Sequence, residues 1–404
     1  MMKKILVGAA AVAILSTGAF AATINSDPGL YAIGVLDAGT PYSVPMGIDV
    51  SDGKVYTAGT SYSATWSGNH PFIGVLDSSS SSIIEIPNPS GDGNSKAQGV
   101  SVALSNNQIA AGGTVGGIGR SYIAPLNDIA NGSWSTMYGS DAQCEGMNVN
   151  RTSESENDRT EVVGRNTKNN RGLRVRMAVG PWSSSVGEYL PLNGTKVKAL
   201  SISTNRTMYG QEEGTPRSSD AVYTSGINTS VTRVPMADPS ERSLAYGISE
   251  NAQFMCGMQY NTAASWVYDA FVWDTSDASA TILPVSSTWE VNPAAYAVNS
   301  QGIVAGRGYN SIDGETAGIW PDKNSELITI ADLAASYGID TSDWTNFKRL
   351  YAISDVQDDG KYAISGYGTW AADGTSRGFV LVVPEPATLS FLALGGLALL
   401  RRRR

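Results

Sequence analysis

A short phrase recurs seven times along this 404-residue chain. Its last copy reads Tyr351-Ala352-Ile353-Ser354, an acidic turn ending Asp359-Gly360, then Tyr362-Ala363-Ile364-Ser365-Gly366. Two others are Tyr246-Gly247-Ile248-Ser249 with Phe254-Met255-Cys256-Gly257, and Tyr296-Ala297-Val298-Asn299 with Ile303-Val304-Ala305-Gly306. Each copy reads as a strand, a polar turn and a second strand closing on glycine. Indexed by the apolar residue of the first strand, the copies fall at Ile48, Val100, Met147, Ile202, Ile248, Val298 and Ile353, 46 to 55 residues apart. Strand-rich periods of this length point to propeller blades rather than helical solenoids. The 44 glycines suit tight turns and crowded inner strands.

The second half of each unit is also repeated. Phe72-Ile73-Gly74-Val75-Leu76-Asp77, Ala270-Phe271-Val272-Trp273-Asp274 and Ala317-Gly318-Ile319-Trp320 are copies, and Ser219 to Tyr223 and Arg377 to Val380 fit more loosely. A further strand follows, as at Ser82 to Pro87, giving about four strands per unit. Ile33-Gly34-Val35-Leu36-Asp37 repeats Ile73 to Asp77 letter for letter. The chain therefore begins in the second half of a unit. An open ring would leave unpaired strand edges, and lending the early strands to the last blade would close it. The expectation is an all-β propeller of seven four-stranded blades, with Ile33 to Leu36 in the blade of Ile353. The third unit, Met147 to Gly164, is irregular, so six or eight blades stay open on sequence grounds. Its polar insert, Arg151 to Thr160, is expected to be an exposed loop. One helix is expected from Ile330 to Tyr337, stopped by Gly338.

The ends carry addressing information. Met1-Met2-Lys3-Lys4 precedes eleven apolar residues, Ile5 to Leu15, and then Ala19-Phe20-Ala21. This order predicts a secretory signal over 1–21, removed after Ala21. At the other end Pro384-Glu385-Pro386 precedes a fourteen-residue, mostly apolar stretch, Ala387 to Leu400, and the charge stop Arg401, Arg402, Arg403 and Arg404. Fourteen residues fall short of the roughly 17–25 of a stable span, so the segment reads as a transient anchor, with an ordinary weak membrane anchor as the alternative. Residues 22–383 then form the folded domain and 384–404 the tail. Processing removes six of the 28 basic residues and leaves 22 against about 37 acidic ones. A net charge near −15 argues against nucleic acid and anionic lipid surfaces as partners.

The tail closely resembles the PEP-CTERM sorting signal of Gram-negative bacteria, whose motif falls on Pro384, Glu385 and Pro386. The resemblance implies a membrane-embedded exosortase as partner, delivery to the cell surface or matrix, and association with exopolysaccharide. A second resemblance is to extracellular HAF-repeat proteins. His70-Pro71-Phe72 and Asp269-Ala270-Phe271-Val272-Trp273 look like that family's phrase. The run from Ala331-Asp332-Leu333 through Trp344, Ala352-Ile353-Ser354 and Asp359-Gly360 to Gly378-Phe379-Val380 is similar to its C-terminal unit.

Catalytic signals are sparse. His70 is the one histidine of the chain, so a serine triad or multi-histidine metal site has little to draw on. Its repeat position beside Pro71 favours a structural role. No H-E-x-x-H or phosphate-loop phrase occurs. Paired carboxylates can hydrolyse glycosides without histidine, but most acids here sit in Asp-Gly turns. A non-enzymatic, adhesive or structural role leads. A glycosidase or lyase on the same ring is the alternative. Asp355, Asp358 and Asp359 crowd an oxygen-rich turn that calcium could use, and otherwise no cofactor is expected. Arg165, Lys168, Arg171, Arg174 and Arg176 are the one basic cluster of the mature chain and form the candidate glycan-binding set. Cys144 and Cys256 belong to non-adjacent units, so two buried thiols and no disulfide are expected.

Overall fold

The computed structural model describes residues 23–385 except 40, 64–67, 87–95, 104–107, 116–117, 126–128, 130–134, 138–141, 144–149, 153–158, 167–170, 178–184, 190–195, 204–206, 214–219, 226–230, 262–266, 287–291 and 311–313. The signal segment and the tail beyond Glu385 lie outside the described residues, as do Cys144, Met147 and Lys168.

Among the described residues the strands form seven antiparallel sheets. Sheet I holds Ser43–Ser51, Lys54–Ser63, Gly68–Asp77 and Ser80–Glu85. Sheet II holds Lys96–Ala103, Gln108–Val115, Ile118–Pro125 and Ser135–Met137. Sheet III has its first strand in two pieces, Ala142–Gln143 and Asn150–Thr152, both paired with Arg159–Asn166, then Arg171–Met177 and Ser185–Tyr189. Sheet IV comprises Lys196–Ile202, Thr207–Glu213, Asp220–Ser225 and Thr232–Arg233. Sheet V comprises Ser243–Ile248, Phe254–Asn261, Val267–Asp274 and Thr281–Ile282. Sheet VI comprises Ala294–Val298, Val304–Asn310, Gly314–Trp320 and Ile328–Thr329. Sheet VII joins Trp344–Ile353, Lys361–Trp370 and Ser376–Pro384 to the early strand Gly29–Ala32.

Each sheet packs on the next, and sheet VII packs back on sheet I. The apolar core is accordingly divided among the gaps between sheets. Tyr56 and Ile73 of sheet I meet Val100 and Ile109 of sheet II, Tyr209 of sheet IV meets Phe271 of sheet V, and Ile319 of sheet VI meets Phe379 of sheet VII. The last gap is filled by Val55, Phe72 and Leu76 of sheet I against Val380 and Val382 of sheet VII. The repeated second-half phrases form the third strands and supply several of the largest fully buried side chains, Phe72, Phe271, Trp320 and Phe379.

The recurring phrase has a common backbone consequence. In each of the six sheets whose first strand is described whole, the register slips by one residue two positions before the index residue, at Met46, Gln98, Leu200, Tyr246, Tyr296 and Tyr351. A bulge of this kind bends its strand and increases the local twist. A glycine of the second strand stands opposite the residue just before each bulge: Gly59, Gly113, Gly210, Gly257, Gly306 and Gly366. A Cβ at Gly306 would run into the carbonyl oxygen of Ala294, and one at Gly257 into that of Leu244. The polar residue after the index position then closes the turn. Ser249 Oγ accepts from Phe254 N at 3.0 Å, Ser354 Oγ from Ala363 N at 2.9 Å, and Asn299 Oδ1 from Ile303 N at 2.9 Å.

The early strand closes the ring, in a register that differs from expectation. Gly29–Ala32, not Ile33 to Leu36, pairs with Phe379–Val382 as the outermost strand of sheet VII. Ile33 donates once more to Gly378 O at 2.8 Å. The chain then crosses to sheet I, where Leu36 N donates to Ser61 Oγ at 3.0 Å. The repeated letters thus hide two different fates, because Ile73 to Asp77 is flanked by two strands of its own sheet whereas Ile33 sits at a crossing. Further upstream Ile24 is 1 % exposed and bridges to Gly53, in the turn between the first two strands of sheet I. Ile24 N donates to Asp359 Oδ2 at 3.1 Å, and Lys361 Nζ donates to the carbonyls of Ile24 and Ser26 at 2.7 and 3.2 Å. In the irregular third unit, strand pairing reaches into both ends of the 151–160 segment expected as a loop, with Arg151 opposite Thr160. The helix is Ile330–Ser336, capped by Thr329 Oγ1 accepting from Asp332 N at 3.1 Å and ended at Gly338, whose φ is +68°.

Candidate functional site

Strand direction assigns the two faces of the ring. First and third strands run toward the turns that join first to second strands. The third strand of sheet VII therefore delivers Pro384 to that turn face, opposite Lys361. Glu385 N donates to Gly360 O at 2.6 Å, and the Tyr337 hydroxyl donates to Pro384 O at 2.9 Å. The Pro384-Glu385 pair is thus part of the folded ring, with no linker before it. The turns on this face are tied to one another. Ser300 N donates to Asp355 Oδ1 at 2.6 Å, Val356 N to Gln301 Oε1 at 3.1 Å, and Asn251 N to Ser300 Oγ at 3.3 Å.

The acidic turn is divided among these ties. Asp355 holds the neighbouring sheet, and burial pushes its carboxyl upward against the lowering effect of the Ser300 hydrogen bonds. Asp359 holds the early segment and lies 3.2 Å from Lys361 Nζ, while Asp358 is exposed. Among the described residues no three His, Cys, Asp or Glu side chains gather as a metal site. His70 is buried on the third strand of sheet I, its Nδ1 2.7 Å from Glu85 Oε1. Burial lowers its basicity below the ordinary 6.5. Cys256 is a buried free thiol whose acidity is suppressed by desolvation.

The register of sheet III sorts the basic cluster. Arg174 stands opposite Val163 and Glu188, Arg176 opposite Glu161 and Val186, and Arg165 opposite Gly172. Directly paired residues share a face, so Arg165, Arg174 and Arg176 lie on one face together with Glu161 and Glu188. Arg171, opposite Asn166, falls on the other face.

A second constellation was not singled out from sequence. Tyr246, Tyr296 and Tyr351 occupy the bulge positions of sheets V, VI and VII. Their rings touch in succession, at centroid distances of 5.1 and 5.4 Å. Tyr367, on the second strand of sheet VII, continues the row by stacking on Tyr351 at 6.1 Å and 10°. The row thus runs across the first strands of three successive sheets, which pack side by side. All four rings are half-buried. Beside them Glu315 accepts from Arg349 Nε at 2.8 Å, and its other oxygen is shared by Arg349 Nη2 and Arg307 Nη1. Arg349 Nη1 lies 3.4 Å from the Tyr351 hydroxyl. Burial raises the Tyr296 hydroxyl above its ordinary 10, opposed by the two guanidiniums. The signal that could have found this row was the tyrosine opening three of the seven phrases.

Comparison with solved structures finds matches over most of the chain at low identity. The chain is similar to the crystal structure of polysaccharide lyase Uly1, with 10 % identity and a TM-score of 0.50 over 88 % of this chain and 92 % of that one. The β-propeller domain of the Trilobed protease from Pyrococcus furiosus, described as an open velcro topology, matches at 9 % identity and a TM-score of 0.49 over 85 % and 95 % of the two chains. Identities this low bear on fold alone. The PEP-CTERM protein-sorting motif matches residues 382–404, which marks an exosortase-processed secreted protein that reaches the cell surface. No curated protein matches. Among the described residues no helix is long and apolar enough to cross a membrane.

Proposed function

We propose that the mature chain is a seven-bladed propeller delivered by an exosortase to the cell surface or matrix, where it serves as a non-enzymatic binding module for exopolysaccharide. The observation that carries this reading is the continuity of the sorting motif with the ring. Pro384 ends the last strand and Glu385 is hydrogen-bonded to the adjoining turn. While the tail is embedded, the turn face is held against the bilayer and the opposite face looks outward. Mass spectrometry of protein from a strain with its sorting enzyme intact should find neither Met1–Ala21 nor residues beyond about Pro386. A retained arginine tail there contradicts the processing.

A second reading, a polysaccharide lyase or hydrolase on the same ring, is favoured by the likeness to the lyase Uly1. Incubating the purified chain with its host's exopolysaccharide separates the two readings. Co-sedimentation without new reducing ends or unsaturated sugars is expected. Chain cleavage would establish the enzyme instead.

A further inference from the structure

We propose that the tyrosine row and the Arg307–Glu315–Arg349 group form a binding site for an acidic saccharide chain across sheets V to VII. This inference rests on the exopolysaccharide reading and gives it a location.

Four half-buried rings in unbroken succession offer apolar faces on which the C–H faces of sugar rings can pack, and their hydroxyls offer hydrogen bonds. The charge beside them is uneven, with two guanidiniums on one carboxylate. Arg349 is the more open of the two at 31 % side-chain exposure, against 17 % for Arg307 and 21 % for Glu315. A carboxylate or sulfate on a sugar can therefore approach the outer Nη1–Nη2 edge of Arg349, whose Nε and Nη2 hold Glu315 on the other side. The group is a local surplus of positive charge on a chain whose mature form is strongly acidic overall. A neutral saccharide would leave that surplus unused, so the ligand class is acidic. Arg349 precedes Tyr351 on a strand running toward the turn face. Glu315 lies near the start of its third strand, at the far end. The charged group thus lies on the side of the row away from the tail, where a polymer outside the cell can reach it.

Two features separate this site from the basic face of sheet III. By register, the sheet III face sets Glu161 and Glu188 among Arg165, Arg174 and Arg176. The Arg307–Glu315–Arg349 group carries two guanidiniums for one carboxylate and adds aromatic surface.

The test uses the mature chain with the host's exopolysaccharide, polygalacturonate and alginate as acidic probes and dextran as the neutral one. Binding to at least one acidic probe and not to dextran is expected, weakening as salt rises. Arg349→Met and Tyr296→Leu should each weaken it about tenfold or more, as truncations at a binding centre do. Tyr296→Phe, which keeps the ring, should bind within about threefold of the parent, because stacking and not the hydroxyl supplies most of the contact. Hydrogen exchange on the unmutated chain is independent of any folding defect. Bound polymer should protect Ala294–Val298 and Trp344–Ile353 and leave Arg171–Met177 unchanged. Unaltered binding by folded Arg349→Met and Tyr296→Leu, or protection confined to sheet III, overturns the assignment. If the host polymer is retained by these variants and lost in an Arg174→Ser, Arg176→Ser double variant, the site is the sheet III face and the exopolysaccharide reading survives without this one. If the parent retains none of the acidic probes, both fall.

Discussion

Replacing Gly306 by alanine should destabilise the protein by about 3 kcal/mol or more, at the upper end of the range for overpacked sites. The added methyl would occupy the place of the Ala294 carbonyl oxygen and also press the Trp320 ring at 3.0 Å. Neither can yield cheaply. The carbonyl belongs to a bulged inner strand wedged between sheets, and Trp320 is fully buried with its Nε1 donating to Pro284 O at 2.7 Å. Gly257→Ala and Gly366→Ala should behave alike, since their methyls meet the Leu244 and Arg349 carbonyls. Gly314→Ala is the control: its φ is +75° but nothing lies within 4 Å, so it should cost only the ~1–2 kcal/mol of a left-handed conformation. Urea unfolding followed by tryptophan fluorescence reads the difference. A Gly306→Ala midpoint as high as that of Gly314→Ala would show that the inner strands can relax apart.

Removing residues 23–32 from the mature chain should cost on the order of 5 kcal/mol, since burying one large apolar side chain contributes about 1.5–3 kcal/mol and Ile24 leaves together with the partly buried Leu30 and Tyr31. That is comparable with the whole stability of many domains, ~5–15 kcal/mol. The loss is structural as well. The third strand of sheet VII becomes an unpaired edge over Phe379–Val382, and Lys361 loses two carbonyl partners. Such an edge invites pairing with other chains. Size-exclusion chromatography should show association of the truncated chain, and thermal unfolding an earlier, less cooperative transition. A synthetic peptide of residues 23–33 should reverse both effects. A truncated chain that stays monomeric with the parent's midpoint would mean that the sheet contacts close the ring without the early strand.

The period of the phrase, its strand–turn–strand pattern and the reappearance of Ile73 to Asp77 at Ile33 to Asp37 were legible because each depends on local alternation and turn chemistry. They led to four-stranded units, to an early strand lent to the last sheet, and to a helix stopped at Gly338. The PEP motif was legible for the same reason, since the order of motif, apolar stretch and arginines is local. The register of the closing strand was not legible. Identical letters at Ile33 and Ile73 meet different neighbours, and only the partner strand Phe379–Val382 selected Gly29–Ala32. The bulge was also hidden, because a slip of one residue is a property of two strands together and neither strand displays it alone.

The candidate site divides along the same line. Sequence proximity grouped Arg165, Lys168, Arg171, Arg174 and Arg176. The pleat then placed Arg171 on the other face and set Glu188 and Glu161 across from Arg174 and Arg176. Conversely, Tyr246, Tyr296 and Tyr351 stand about a repeat apart in the chain and adjoin in space. Their contact exists because the bulged first strands of successive sheets pack side by side. Residue types, repeat and destination were determined by the sequence by itself. Which of those residues meet was decided by strand pairing and the packing of successive sheets, because only these bring distant copies of one phrase side by side.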